Sequence, residues 1–192
     1  EMSFVEQEDI FKTLENIFYK LFFEFKEKRT VSSIPFPKIK FKDAMLKYGT
    51  DKPDLRNPIE IFDVTHIFKT DDVNLDIFKK LIKNGALVRA IPAPNTSKKP
   101  RSFFDNMNNW AKEEGGKGLG YISFEKKNGK ILGAGPIAKF FSDKAIKEII
   151  NYCKITEKDT LFLSCDKKAN VEKISGLARQ KMGLELDLIN KE

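Results

Sequence analysis

Between Ile10 and Phe25 the chain carries eight apolar side chains at three- and four-residue steps: Ile10, Phe11, Leu14, Ile17, Phe18, Leu21, Phe22 and Phe25. That spacing predicts an amphipathic helix over residues 7–28, with Glu8 and Asp9 in its first turn and Lys26, Lys28 and Arg29 in its last. Both placements suit the helix dipole. The stripe is wide and aromatic, and it needs more core than a short segment can supply. The five residues at the start, Glu1 to Val5, alternate polar and apolar as a half-buried strand does. A lone opening strand has no neighbour to pair with. Together the two features read as a piece of a larger chain.

The punctuation after this helix is clear. Residues 30–37 form a linker with two prolines, and residues 41–48 a short helix closed by Gly49. A polar loop runs from Thr50 to Pro58, with charges at Asp51, Lys52, Asp54 and Arg56 on a proline-braced frame. Those charges can bind a ligand or latch the loop by ion pairs. A helical turn is expected near Thr65, with Asp63 as its N-cap. Asn84-Gly85 between two apolar runs signals a hairpin, although residues 75–83 also fit a helix. Residues 101–114 predict a helix burying Phe103, Phe104, Met107 and Trp110. A second hairpin is expected around Asn128-Gly129, joining a strand through Leu119, Tyr121, Ile122 and Phe124 to one over Lys130 to Leu132. Ser142 then caps a helix to about Cys153, residues 160–165 form a compact apolar strand, and residues 167–182 a last helix. The order predicts an α+β class: a two-layer domain of antiparallel sheet covered by helices, all on one face, beside the partial strand–helix segment in front.

Charge separates the two parts. Residues 1–64 carry 11 Lys and Arg against 12 Asp and Glu, and residues 65–192 carry 24 against 16, a net +8. A basic part can neutralise nucleic-acid phosphate, or it can be a solvated surface. The candidates for RNA contact are Lys98, Lys99, Arg101, Lys126, Lys127, Lys130, Lys139, Lys167 and Lys168.

The residues offer little catalytic chemistry. Neither a dinucleotide-binding glycine pattern nor a phosphate loop is present. Gly115, Gly116, Gly118 and Gly120 lead into a strand and read as a turn, while Gly133-Ala134-Gly135-Pro136 before a short helical stretch is a weak phosphate candidate. The acidic pairs Asp71-Asp72 and Glu113-Glu114 lie in polar settings that would not raise a pKa for proton transfer. With one histidine, His66, and two cysteines, Cys153 and Cys165, no metal set or disulfide framework is expected. No apolar run approaches the roughly 18 residues of a membrane-spanning helix. The start shows neither the basic region nor the apolar block of a signal peptide. A cytoplasmic setting with reduced thiols is expected.

The run Tyr48-Gly49-Thr50-Asp51-Lys52-Pro53-Asp54-Leu55-Arg56 resembles a signature of the bacterial-type aspartate–tRNA ligases. Other stretches agree in order: Glu1 to Val5 with the tail of the second class II motif, Lys117 to Ile122 with Lys-Gly-Leu-Ala-Tyr-Ile, and Pro136 to Phe140 with Pro-Ile/Val-Ala-Lys-Phe. Asp159 to Asp166 resembles a family strand, and Gly176-Leu177-Ala178-Arg179 its closing helix. Departures include Gly120 for alanine, Lys158 for glycine, Ser164-Cys165 for a Gly/Ala pair, and a looser match at Ser97 to Pro100.

The resemblance implies an internal fragment. Residues 1–64 would belong to a class II catalytic core, residues 65–188 would be the GAD insertion, and residues 189–192 would be an exit segment. It implies an enzyme that activates aspartate with ATP and magnesium and passes it to tRNA, as a homodimer. It implies no catalytic residue, metal site or cofactor within this stretch, which alone would be inactive because the family's arginines for ATP fall outside it. Glu1 would be a remnant of the aspartate pocket, and Asp51, Lys52, Asp54 and Arg56 would form the signature loop. The insertion would position tRNA, or it would be a structural appendage without RNA contact. The same insertion in a subunit of a tRNA-dependent amidotransferase is a further setting.

Overall fold

The structure is a computed structural model and describes residues 2–189. Glu1, assigned above to a pocket remnant, and residues 190–192 of the exit segment lie outside the described residues. Two compact units are present, residues 2–40 and 41–189.

In the first unit, α1 spans Gln7–Glu24 and buries none of its residues. Its aromatic stripe stands open, with Phe22 at 57% and Phe25 at 73% exposure. The linker returns along the helix: the Phe36 N–H donates to Glu15 Oε1 at 3.0 Å, and Lys38 pairs with Glu8 at 2.7 Å. Residues 2–5 form no strand, contrary to their alternation. Alternation selects a face only where a neighbouring strand supplies hydrogen bonds.

The second unit is built on a five-stranded antiparallel sheet in the order β1-β2-β5-β3-β4. Its strands are β1 (Phe62–Asp63), β2 (Leu87–Ala93), β3 (Gly120–Lys127), β4 (Lys130–Ala134) and β5 (Thr160–Asp166). β5 lies at the centre, pairing Leu163 with Ala90 on one side and with Gly120 on the other. All seven of its residues are buried, so the sheet needs cover on both faces. Leu161, Leu163 and Cys165 face a core closed by α3 (Thr65–Phe68), α4 (Asp76–Lys83) and α6 (Asp143–Tyr152). Phe162 faces a second core, closed by α5 (Arg101–Glu113) and α7 (Lys168–Glu185). The antiparallel sheet and its helical cover agree with the α+β class. The cover lies on both faces rather than one because β5 is buried on both, with Phe162 anchoring the second core on the face it shares with Thr160 and Ser164.

Asn84-Gly85 ends a helix instead of turning a hairpin. The Ala86 N–H donates to the Leu81 carbonyl and the Gly85 N–H to that of Ile82, both at 3.0 Å, with Gly85 at φ +83°. This is the paired closure of a Schellman motif. Phe78, Leu81 and Ile82, at helical spacing, pack on the first core and decide the matter. The Asn128-Gly129 hairpin and the Ser142 cap stand as read, with Ser142 Oγ accepting from the Ala145 N–H at 3.2 Å.

Candidate functional site

The signature loop is seated on α7. α2 (Phe41–Tyr48) ends at Gly49, whose φ of +68° suits glycine. A Cβ on Gly49 would stand 2.5 Å from the Glu172 carbonyl oxygen, and one on Gly176 would stand 2.7 Å from the Gly49 oxygen. Backbone therefore meets backbone here. Three residues along α7, Arg179 is fully buried and reaches into the loop. Its Nε donates to the Ile59 carbonyl at 2.6 Å, and its Nη2 to those of Asn57 at 2.7 Å and Asp54 at 2.9 Å. The Tyr48 ring lies 4.9 Å from the guanidinium carbon. Asn57 completes the clamp by donating to the Arg179 carbonyl at 2.9 Å while its Oδ1 accepts from the Ile59 N–H. Burial lowers the Arg179 pKa, and Tyr48, Asp54 and Glu60 oppose that shift.

The loop's own charges pair locally. Arg56 grips Asp54 through Nε at 3.0 Å and Nη2 at 2.8 Å, and this hydrogen bonding holds the Asp54 carboxyl below its ordinary value. Lys52 and Asp51 stand 3.3 Å apart and exposed. Beside the loop a second buried arginine, Arg89 on β2, meets Asp63 at 2.6 Å and Glu172 of α7 at 4.0 Å. Arg179's hold on the loop is not an expectation of the sequence, and Arg89 ties β1 and β2 to α7 rather than gripping the loop itself. The legible signal was Arg179's place on the inward stripe of α7, one step from Ala178 and three from Met182.

The basic candidates do not form one patch. Arg101 opens α5 and pairs with Asp105 at 3.4 Å, and Lys127 pairs with Glu125 at 2.7 Å. Lys99 lies 5.9 Å from the Phe103 ring and Lys139 lies 5.1 Å from that of Phe140. Lys130 sits opposite Lys127 at the hairpin tip. Lys167 and Lys168 start α7, beyond the end of β5 that lies opposite Leu87. Lys98 and Lys126 do converge, across a cleft of about 350 Å³ that also takes in Lys158.

Cys153 and Cys165 are buried, and burial pushes their thiols up to about 12 and about 11. His66 sits on the surface, 3.5 Å from Glu148. The stretch after Gly135 is a single 3-10 turn, Ala138–Phe140, too short to present a helix N-terminus to phosphate. Among the described residues no group of three or more His, Cys, Asp or Glu could hold a metal ion, and no helix is long and apolar enough to cross a membrane.

The family model described as "GAD domain" matches residues 78–175, just over half of the chain. The chain belongs to the GAD domain family. It is also similar along its whole length to curated aspartate–tRNA(Asp/Asn) ligases. That of Pelagibacter ubique is 49% identical over 191 residues, covering all of this chain and 32% of the relative. That of Methylocella silvestris is 48% identical over 188 residues, 98% of this chain and 30% of the relative. That of Rickettsia bellii is 48% identical over 192 residues, with 31% of the relative covered. The chain thus spans about a third of the length of the curated relatives it matches.

Proposed function

We propose that the chain is a section of an aspartate–tRNA ligase whose GAD domain contributes a basic surface for tRNA. The observation that carries this is near-50% identity over the whole chain, through loop and domain alike. On this reading the complete class II enzyme activates aspartate with ATP and magnesium and charges tRNA as a cytoplasmic homodimer. Those reactants are assigned to parts of the ligase outside the described residues, and the chain alone is inactive. Residues 1–64 belong to the catalytic core and 65–188 to the insertion. The cations supply affinity without sequence readout, in a manner steeply dependent on salt.

The test has two arms. The full-length protein containing this chain should aspartylate tRNA, and failure to do so overturns the enzyme reading. The 192-residue chain should bind tRNA at low salt and lose it at moderate salt. A second reading, the GAD domain as a structural support, is favoured by the Arg179 clamp, which joins α7 to the signature loop. Deleting residues 70–188 from the whole enzyme would then lower its melting temperature and leave tRNA affinity intact.

A further inference from the structure

We propose that the cleft between the β3–β4 hairpin, the loop leaving β2 and the loop entering β5 binds the phosphodiester backbone of folded RNA through Lys98, Lys126 and Lys158. The choice of RNA rests on the reading of the chain as part of a tRNA-charging enzyme. The choice of cleft rests on charge, fixation and position.

Charge comes first. Two cations near this cleft have their own anions: Arg101 has Asp105, and Lys127 has Glu125. Lys98, Lys126 and Lys158 have no carboxylate partner among the described residues, yet all three line one concavity of about 350 Å³. Glu125 also lines it but is held by Lys127, which leaves Glu157 as the opposing charge. Three ammoniums against one carboxylate give a local excess of two positive charges. An anion entering between them relieves their mutual repulsion.

The frame that carries these lysines is fixed. Asp159, only 8% exposed, accepts from the Asn95 N–H at 3.0 Å and from the Thr156 N–H and hydroxyl, each at 2.8 Å. The Ser97 N–H donates to the Lys158 carbonyl at 2.9 Å, and the Phe124 N–H to that of Asp159 at 3.0 Å. The segments bearing Lys98, Lys158 and Lys126 are thereby tied to one another. A ligand orders only the lysine side chains on binding, and a frame set beforehand lowers that entropy loss. The β3–β4 hairpin also continues past the last residues paired with β5, so Lys126 stands out beside the two loops and not within the sheet.

The probe is unmodified tRNA, titrated against the whole 192-residue chain at several salt concentrations. One variant combines Lys98→Glu, Lys126→Glu and Lys158→Glu. A charge-matched control combines Lys80→Glu, Lys112→Glu and Lys147→Glu, exposed positions elsewhere on the same unit. A Lys→Gln triple at the three cleft positions guards against misfolding, with Trp110 fluorescence reporting the fold. The cleft variant should bind at least about tenfold more weakly, and its plot of log K against log salt should flatten by about two to three. The control should stay within about threefold of the parent. Equal losses in cleft variant and control would overturn the cleft while leaving RNA binding in place. No binding by the parent chain at low salt would also overturn it, and aspartylation by the full-length protein would still judge the enzyme reading separately.

Discussion

Replacing Arg179 by methionine removes the clamp while keeping most of the side-chain volume. Two buried carbonyls, of Ile59 and Asn57, and the half-buried one of Asp54 then lose their donor. At about 1.0–1.3 kcal/mol net for each of the three bonds, the loss is roughly 3–4 kcal/mol. A partial offset comes from no longer burying a guanidinium whose Nη1 lacks a partner, worth about 1 kcal/mol. The expected net destabilisation is about 2–3 kcal/mol, or roughly 4–12 °C in Tm for a unit of this size. Arg179→Lys should recover less than half, because an ammonium cannot serve three carbonyls arranged around a planar fork. Trp110, the chain's one tryptophan, lies on α5 beside α7 and reports this unit in urea denaturation. A methionine variant within about 0.5 kcal/mol of the parent, at unchanged m value, would refute the reasoning.

Three further outcomes follow from the same geometry. Gly176→Ala gains about 1 kcal/mol of helix propensity but puts a Cβ 2.7 Å from the Gly49 oxygen, so urea titration should show a net loss of roughly 1–3 kcal/mol. Asp54 is held below its ordinary pKa by Arg56, Asp72 by Lys144 and Ser142, and Asp63 and Asp166, raised by burial, are lowered on balance by hydrogen bonds together with the charges of Arg89 and Lys117. The unfolded chain therefore binds these protons first, and stability, complete above about pH 4, should decline as pH falls through the lower folded values; a urea midpoint that rises between pH 5 and pH 3 would contradict this. Cys153 and Cys165, buried and with raised thiol pKa, should resist a disulfide reagent at pH 8 until guanidinium unfolds the chain, and prompt native labelling would show that they are open.

Local chemistry made much of this fold readable. Ser142 capped its helix, Gly49 closed α2, and Asn128-Gly129, both at positive φ, turned the hairpin. Asn84-Gly85 carried the same dipeptide but stopped a helix, because the apolar spacing before it was helical and had Phe68 to pack on. β1 is two residues long, so its existence depends on β2 and not on its own pattern. The central place of β5 is a fact of topology: inserting it between β2 and β3 is what brings residues 98, 126 and 158 together. Lys98 and Lys126 were candidates from charge alone, while Lys158 gained its role only from that strand order. The loop's hold was hidden for a different reason. Sequence patterns treat a buried face as apolar, and α7 buries Glu172, Ser175, Gly176 and Arg179 as well as Ile174 and Ala178.

That polar seam predicts where the domain can be cut. A piece limited to residues 65–188 would lose Ile59 and Ile61, which are 4% and 2% exposed in the second core. Each is worth about 1.5–3 kcal/mol of burial. The same cut removes β1 and every carbonyl that receives Arg179, leaving a buried guanidinium with only solvent to satisfy it. Together the losses reach roughly 5–9 kcal/mol, comparable to the whole stability of an ordinary domain. A piece spanning residues 41–189 keeps both cores and the clamp. In parallel urea titrations followed by Trp110, the longer piece should unfold cooperatively. The shorter should be unfolded, or nearly so, without denaturant. Equal midpoints for the two would mean that the loop merely rests on α7, and that the fold of the GAD domain owes nothing to the segment that precedes it.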